Sequence, residues 1–185
     1  MTKSISGALA FAAALTLVSP ALHARESGPS RPFFAQMVLQ DVIYQVKTPN
    51  ESSINMVTVR ALDGERVFGE EKVEADGTVS DVEVDDLNAD GYPEVYVYVT
   101  SAGSGSYGSI IAFSSNRNRS ITPIYLPSLE DDPKASKGYM GHDRFAIGEG
   151  ALLRKFPVYR EGDTNAAPKG GTRQIQYHLQ AGEAG

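Results

Sequence analysis

Asp86, Asn88 and Asp90 stand at alternate positions, Gly91 follows, and Glu94 closes the stretch DLNADGYPE. Alternate oxygen-bearing side chains before a glycine are how a chain wraps a hard cation, and calcium is the ion they would suit. A full helix-loop-helix calcium site also needs a carboxylate at loop position twelve, and Val97 stands there; Glu94 falls at position nine, as in shorter calcium loops of β-proteins. The same residues equally make an Asx-rich turn, in which Asn and Asp bond their own backbone. No metal set is assigned, and no cofactor is expected.

A second stretch, Ser101 to Gly108 (SAGSGSYG), joins two strongly β-forming runs, Glu94 to Thr100 and Ser109 to Ser114. A hairpin turn needs only ~2–5 residues, so this connection is longer than the turn requires. Gly103, Gly105 and Gly108 allow close backbone approach, Ser101, Ser104 and Ser106 bring hydroxyls, and Tyr107 is the lone aromatic. Such a loop suits insertion into a cleft, with Tyr107 projecting as the anchor. The competing reading is a flexible Gly/Ser hairpin with Tyr107 folded back on the sheet.

Catalytic candidates are few. His142 and Asp143 are adjacent, and neighbours on a strand face opposite sides, so they make no dyad. Ser104 lacks the strand-turn-helix setting of a nucleophile elbow. The acids between Glu65 and Asp90 read as strand faces and turns, and an enzyme is not expected.

The elements that must carry these stretches are strands. Apolar residues alternate through Val38 to Val46, where Val38, Val42, Tyr44 and Val46 share one parity, and through Val57–Val59 and Val82–Val84. Val95, Val97 and Val99 alternate with Tyr96, Tyr98 and Thr100; Ile121 to Leu126, Arg144 to Gly148, Leu152 to Tyr159 and Arg173 to Leu179 are similar runs. Turn signals separate them: Thr48-Pro49-Asn50, Asp63-Gly64, Asp76-Gly77, Asp90-Gly91, Asp131-Asp132-Pro133 and Gly170-Gly171. The pattern predicts an all-β antiparallel sandwich of about eight strands with an exposed Gly/Ser/Tyr hairpin loop.

The chain has 185 residues, a net charge of −6 and no cysteine, which excludes disulfides, thiol catalysis and Cys-ligated metals. Its acidity argues against nucleic acid as a partner. Residues 1–24, with Lys3 ahead of the apolar run ISGALAFAAALTLV, read as a secretory leader cut after Ala24, or alternatively after Ala21. No cysteine follows for a lipid anchor. The rest, 25–185, reads as one domain, with the lead-in 25–32 and the tail 180–185 fraying. Between Arg60 and Glu94 there are twelve acids against three bases, a stretch that either attracts a cationic partner or solvates strand faces.

Ser-Gly-Ser-Tyr at 104–107, between VYVYVTSAG and GSIIAFSSN, resembles the inhibitory loop of the periplasmic inhibitors of invertebrate-type (I-type) lysozyme. DLNADGYPE and the segment Phe156 to Tyr177 (FPVYREGDTNAAPKGGTRQIQY) also resemble that family. The resemblance implies a periplasmic, often dimeric β-sandwich that binds host lysozyme and blocks peptidoglycan hydrolysis, with the 101–108 loop in the lysozyme cleft. Inhibition would then depend on Ser104 and Tyr107, with Gly103, Gly105, Ser106 and Gly108 shaping the loop. The alternative is a calcium-stabilised periplasmic binding module for glycan or an envelope protein.

Overall fold

A computed structural model describes residues 10–14 and 31–180. The cut sites after Ala21 and Ala24 and the tail 181–185 lie outside the described residues. Among the described residues there are three sheets, each antiparallel and four-stranded. The first is β2 (Phe33–Leu39), β3 (Val42–Thr48), β4 (Ile54–Asp63) and β5 (Arg66–Asp76). The second is β6 (Thr78–Asp85), β7 (Glu94–Thr100), β8 (Gly108–Ser115) and β9 (Ile121–Ile124). The third runs β1-β12-β11-β10, from β10 (Arg144–Gly148), β11 (Ala151–Pro157), β12 (Thr172–His178) and, on its edge, β1 (Ala10–Ala14). Among the described residues, helix is confined to Leu129–Asp131 and α1 (Pro133–Ser136).

The expected β-sandwich is present, and a third sheet is added to it. One core joins the first two sheets: Val42, Tyr44, Val46, Val57, Val59 and Ala61 meet Val82, Val95, Val97, Val99 and Phe113. A second core lies on the other face of the middle sheet, where Tyr96, Tyr98 and Ala112 meet Leu152, Phe156, Ile175 and Tyr177. Because β7 is covered on both faces, its valines fill one core and its tyrosines the other. A half-exposed strand would alternate apolar with polar; EVYVYVT alternates small apolar with large aromatic instead.

The shared parity read across Val38 to Val46 does not describe one strand. The chain reverses at Gln40 and Asp41, both at positive φ (49° and 65°), and Leu39 pairs with Val42. This is the geometry of a two-residue hairpin turn, usually written Asn-Gly or Asp-Gly, here made from residues that gave no turn signal. Val42, Tyr44 and Val46 are buried, whereas Val38 is 62% exposed on the far face of β2.

Candidate functional site

The 101–108 loop joins β7 to β8, whose register closes at Thr100 opposite Gly108. The strongest anchoring available to a hairpin is thus beneath it, since β7 is buried almost end to end. Inside the loop, the Ser101 N–H donates to the Tyr107 carbonyl (2.8 Å) and the Tyr107 N–H to the Ser101 hydroxyl (2.9 Å). Ser106, at φ +43°, donates its N–H to the Gly103 carbonyl at 3.2 Å.

The loop is not a free Gly/Ser hairpin. The His142 N–H donates to the Gly105 carbonyl (2.7 Å) and, more weakly, to that of Ser106 (3.2 Å). The Asn165 side-chain amide donates to the Ser104 carbonyl at 2.6 Å, and the Gly108 N–H donates to Asp143 at 2.8 Å. Gly141 explains how the two backbones come so close: it sits at φ +87°, and a Cβ there would fall 2.0 Å from the Gly105 oxygen.

Tyr107 does not project alone, as its isolation in sequence suggests. Its ring is half-exposed (49%) and meets Tyr139 edge-on at 5.6 Å. It also lies over Gly105, where a Cβ would sit 2.4 Å from the ring. Neither competing reading of this side chain is complete, because the ring is set against a wall yet keeps an open face. Ser104 is exposed, and among the described residues neither its hydroxyl nor that of Tyr107 has a hydrogen-bond partner.

Beneath the loop lies a buried ion pair that the sequence reading missed. Arg154 Nε meets Asp143 Oδ1 at 2.7 Å, with side chains 7% and 0% exposed. Asp143 Oδ2 accepts from Gly108 N–H and the Tyr139 hydroxyl, and Arg154 Nη2 donates to that hydroxyl at 2.8 Å. The guanidinium also lies near the rings of Tyr139, Phe145 and Phe156. The signal was available: in LLRKFP, Arg154 has the parity of Leu152 and Phe156, and a charge at a core position requires a partner. His142, by contrast, turns its ring to Asn165, so His142 and Asp143 serve different neighbours. The cleft beside the loop's foot is lined by Asp81 and Asp143, but both oxygens of Asp143 are already committed to the ion pair and the loop.

Asp86, Asp90 and Glu94 do gather, with carboxylate oxygens within 4.8 Å of one another. Asp86 accepts from the N–H groups of Asp90 and Gly91, Asn88 from that of Asp90, and Asp90 from that of Tyr92. Those bonds are the Asx-rich turn; the three carboxylates are also the residues that would hold a calcium ion. Glu94 is fully buried, accepting from Leu87 N–H (2.9 Å) and facing the Ser114 hydroxyl. Burial, aided by the charges of Asp86 and Asp90, pushes its carboxyl up to about 8.

The folded protein therefore holds a proton on Glu94 that the unfolded chain releases near the usual value of 4.5. Stability attributable to that proton is complete below the unfolded value and is lost as pH rises through about 8. Urea unfolding at pH 5 and pH 8 should differ through this group by about 3 kcal/mol, and Glu94→Gln should flatten that slope. Equal slopes for the two proteins would refute the assignment.

Residues 49–134 match the family model described as periplasmic lysozyme inhibitor of I-type lysozyme, PliI. Over that stretch the chain is PliI-like. The match takes in both DLNADGYPE and the whole 101–108 loop, and PliI is a family of inhibitors rather than of enzymes. It stops short of Phe156 to Tyr177, so the resemblance read there is not carried by it. Among solved structures, the chain is similar to Aeromonas hydrophila PliI, crystallised in complex with Meretrix lusoria lysozyme. The identity is 28%, over 52% of this chain and 89% of that one, with a TM-score of 0.41. No curated protein sequence matches the chain.

Proposed function

We propose that the chain is a periplasmic inhibitor of I-type lysozyme that acts by placing its 101–108 loop in the enzyme's glycan cleft. The observation that carries this is the PliI match over 49–134, which contains the entire loop. Lysozymes cleave glycan with two carboxyl groups. Hydroxyls of Ser104 and Tyr107, exposed and without partners among the described residues, suit hydrogen bonding to such groups, and bonds to an ionised carboxylate are of the stronger kind. The open face of the Tyr107 ring suits a position where a sugar would stack. Occupancy then excludes glycan, and no covalent step is needed.

Export by the 1–24 leader belongs to the same proposal, as does a homodimer; removal of the leader takes β1 with it, so the single mature domain, 25–185, keeps β12, β11 and β10 of the third sheet. For the dimer the support is the outer face of the first sheet, where Val38, Ile43, Leu62 and Val67 lie side by side across all four strands. Val38 and Val67 are exposed there, an apolar row of the kind interfaces use.

The test is inhibition of I-type, chicken-type and goose-type lysozymes in parallel, with light scattering on the same sample. I-type lysozyme should be inhibited at nanomolar levels and the mass should be that of two chains. No inhibition of any I-type enzyme would overturn the reading, and a monomer would remove the dimer. The gathering of Asp86, Asp90 and Glu94 favours the second reading, a calcium-stabilised binding module. Inhibition that survives chelator treatment unchanged would exclude it.

A further inference from the structure

The tip of the loop has little holding it from within. Between Ala102 and Gly105 only the Gly103 carbonyl receives a bond from another loop residue, the Ser106 N–H. The Ser104 and Gly105 carbonyls are instead held from outside, by Asn165 and His142. Asn165 lies between β11 and β12, well beyond the segment that matches PliI.

Its own position is fixed. Asp163 Oδ2 accepts the N–H groups of Arg160 and Lys169, both at 2.8 Å, pinching that connection closed. Tyr159 donates its hydroxyl to the Asn165 carbonyl at 2.9 Å. The side chain then faces two ways: its amide nitrogen donates to the Ser104 carbonyl, and its oxygen accepts from the His142 ring at 3.0 Å. That pairing also orients the amide, since reversing it would set two acceptors face to face at Ser104.

We propose that Asn165 is the positioning residue for inhibition: it fixes the Ser104 peptide, and so presents the Ser104 hydroxyl and Tyr107 ring in their binding shape before the enzyme arrives. The inference rests on the inhibitor reading given above. A loop ordered in advance loses less freedom on binding, and the gain appears as affinity. The third sheet thereby acquires a functional role, as a brace for a loop carried by the second.

Asn165→Ala and Asn165→Asp in the full chain test this. Asp keeps an oxygen for His142 but cannot donate to Ser104. Both variants should inhibit I-type lysozyme about tenfold less well, the order expected from the hydrogen bond to Ser104 that both lose. Melting temperatures should stay within about 3 °C of the parent for Asn165→Asp, which loses one such bond, and within about 6 °C for Asn165→Ala, which loses two, in a domain of this size. In the free proteins, amide exchange at Ser106 and His142 should be faster. Wild-type inhibition by Asn165→Ala would overturn the proposal. Wild-type inhibition by Asn165→Asp would also overturn it, by assigning the role to the His142 contact. Exchange is measured without lysozyme, so failure of the inhibitor reading would not be mistaken for failure of the brace.

Discussion

Tyr107→Ala is expected to weaken inhibition of I-type lysozyme by about 30-fold or more, the roughly 2 kcal/mol typical of an anchor residue. The fold should hardly notice. Half of the side chain is already exposed, and the edge-on contact with Tyr139 is worth only about 1 kcal/mol. Tyr107→Phe separates ring from hydroxyl: full inhibition would assign the anchor to the ring, and a loss matching that of alanine would assign it to the hydroxyl. An inhibition constant for Tyr107→Ala within threefold of the parent, at unchanged melting temperature, would remove this loop from the site. Ser104→Ala belongs in the same series, since among the described residues its hydroxyl makes no hydrogen bond that alanine would break.

Arg154→Ala is the opposite case, in which the fold suffers first. It leaves Asp143 fully buried without its cation, and breaking a pair of this kind costs about 3–5 kcal/mol. In a domain of this size that lowers the melting temperature by about 10 °C, measurable by calorimetry. Inhibition should fall as well, because Asp143 also holds the Gly108 N–H at the loop's foot. The double change Asp143→Asn with Arg154→Met removes both charges and should recover much of the lost stability. A single variant within 1 kcal/mol of the parent would show that the pair contributes little.

These two experiments divide along the line between what the residue pattern revealed and what it concealed. The loop was legible because its composition is odd for a hairpin: three glycines, three serines and one tyrosine between two strong strands. The middle strand was legible by its bounds, and even its double burial is written in the alternation of valine with tyrosine. The turn at Gln40-Asp41 was concealed because two positive-φ residues there carry neither glycine nor asparagine, so parity carried straight through a reversal of the chain. The bracing of the loop was concealed for a different reason. Gly141, His142, Asp143 and Asn165 meet it from connections beside the strands of the third sheet, and Arg154 reaches it through Asp143, at separations no local pattern encodes. Arg154 alone left a trace, as a charge at a core position.

The double burial of β7 has a consequence for cooperativity. A strand shared by two cores cannot be released by loosening one of them, so neither outer sheet has an independent melting unit on its side of the molecule. The 101–108 loop hangs from that shared strand and is tied across to residues that flank the strands of the third sheet. Its shape should therefore persist up to the global transition and vanish with it, so that activity and fold are lost at one temperature.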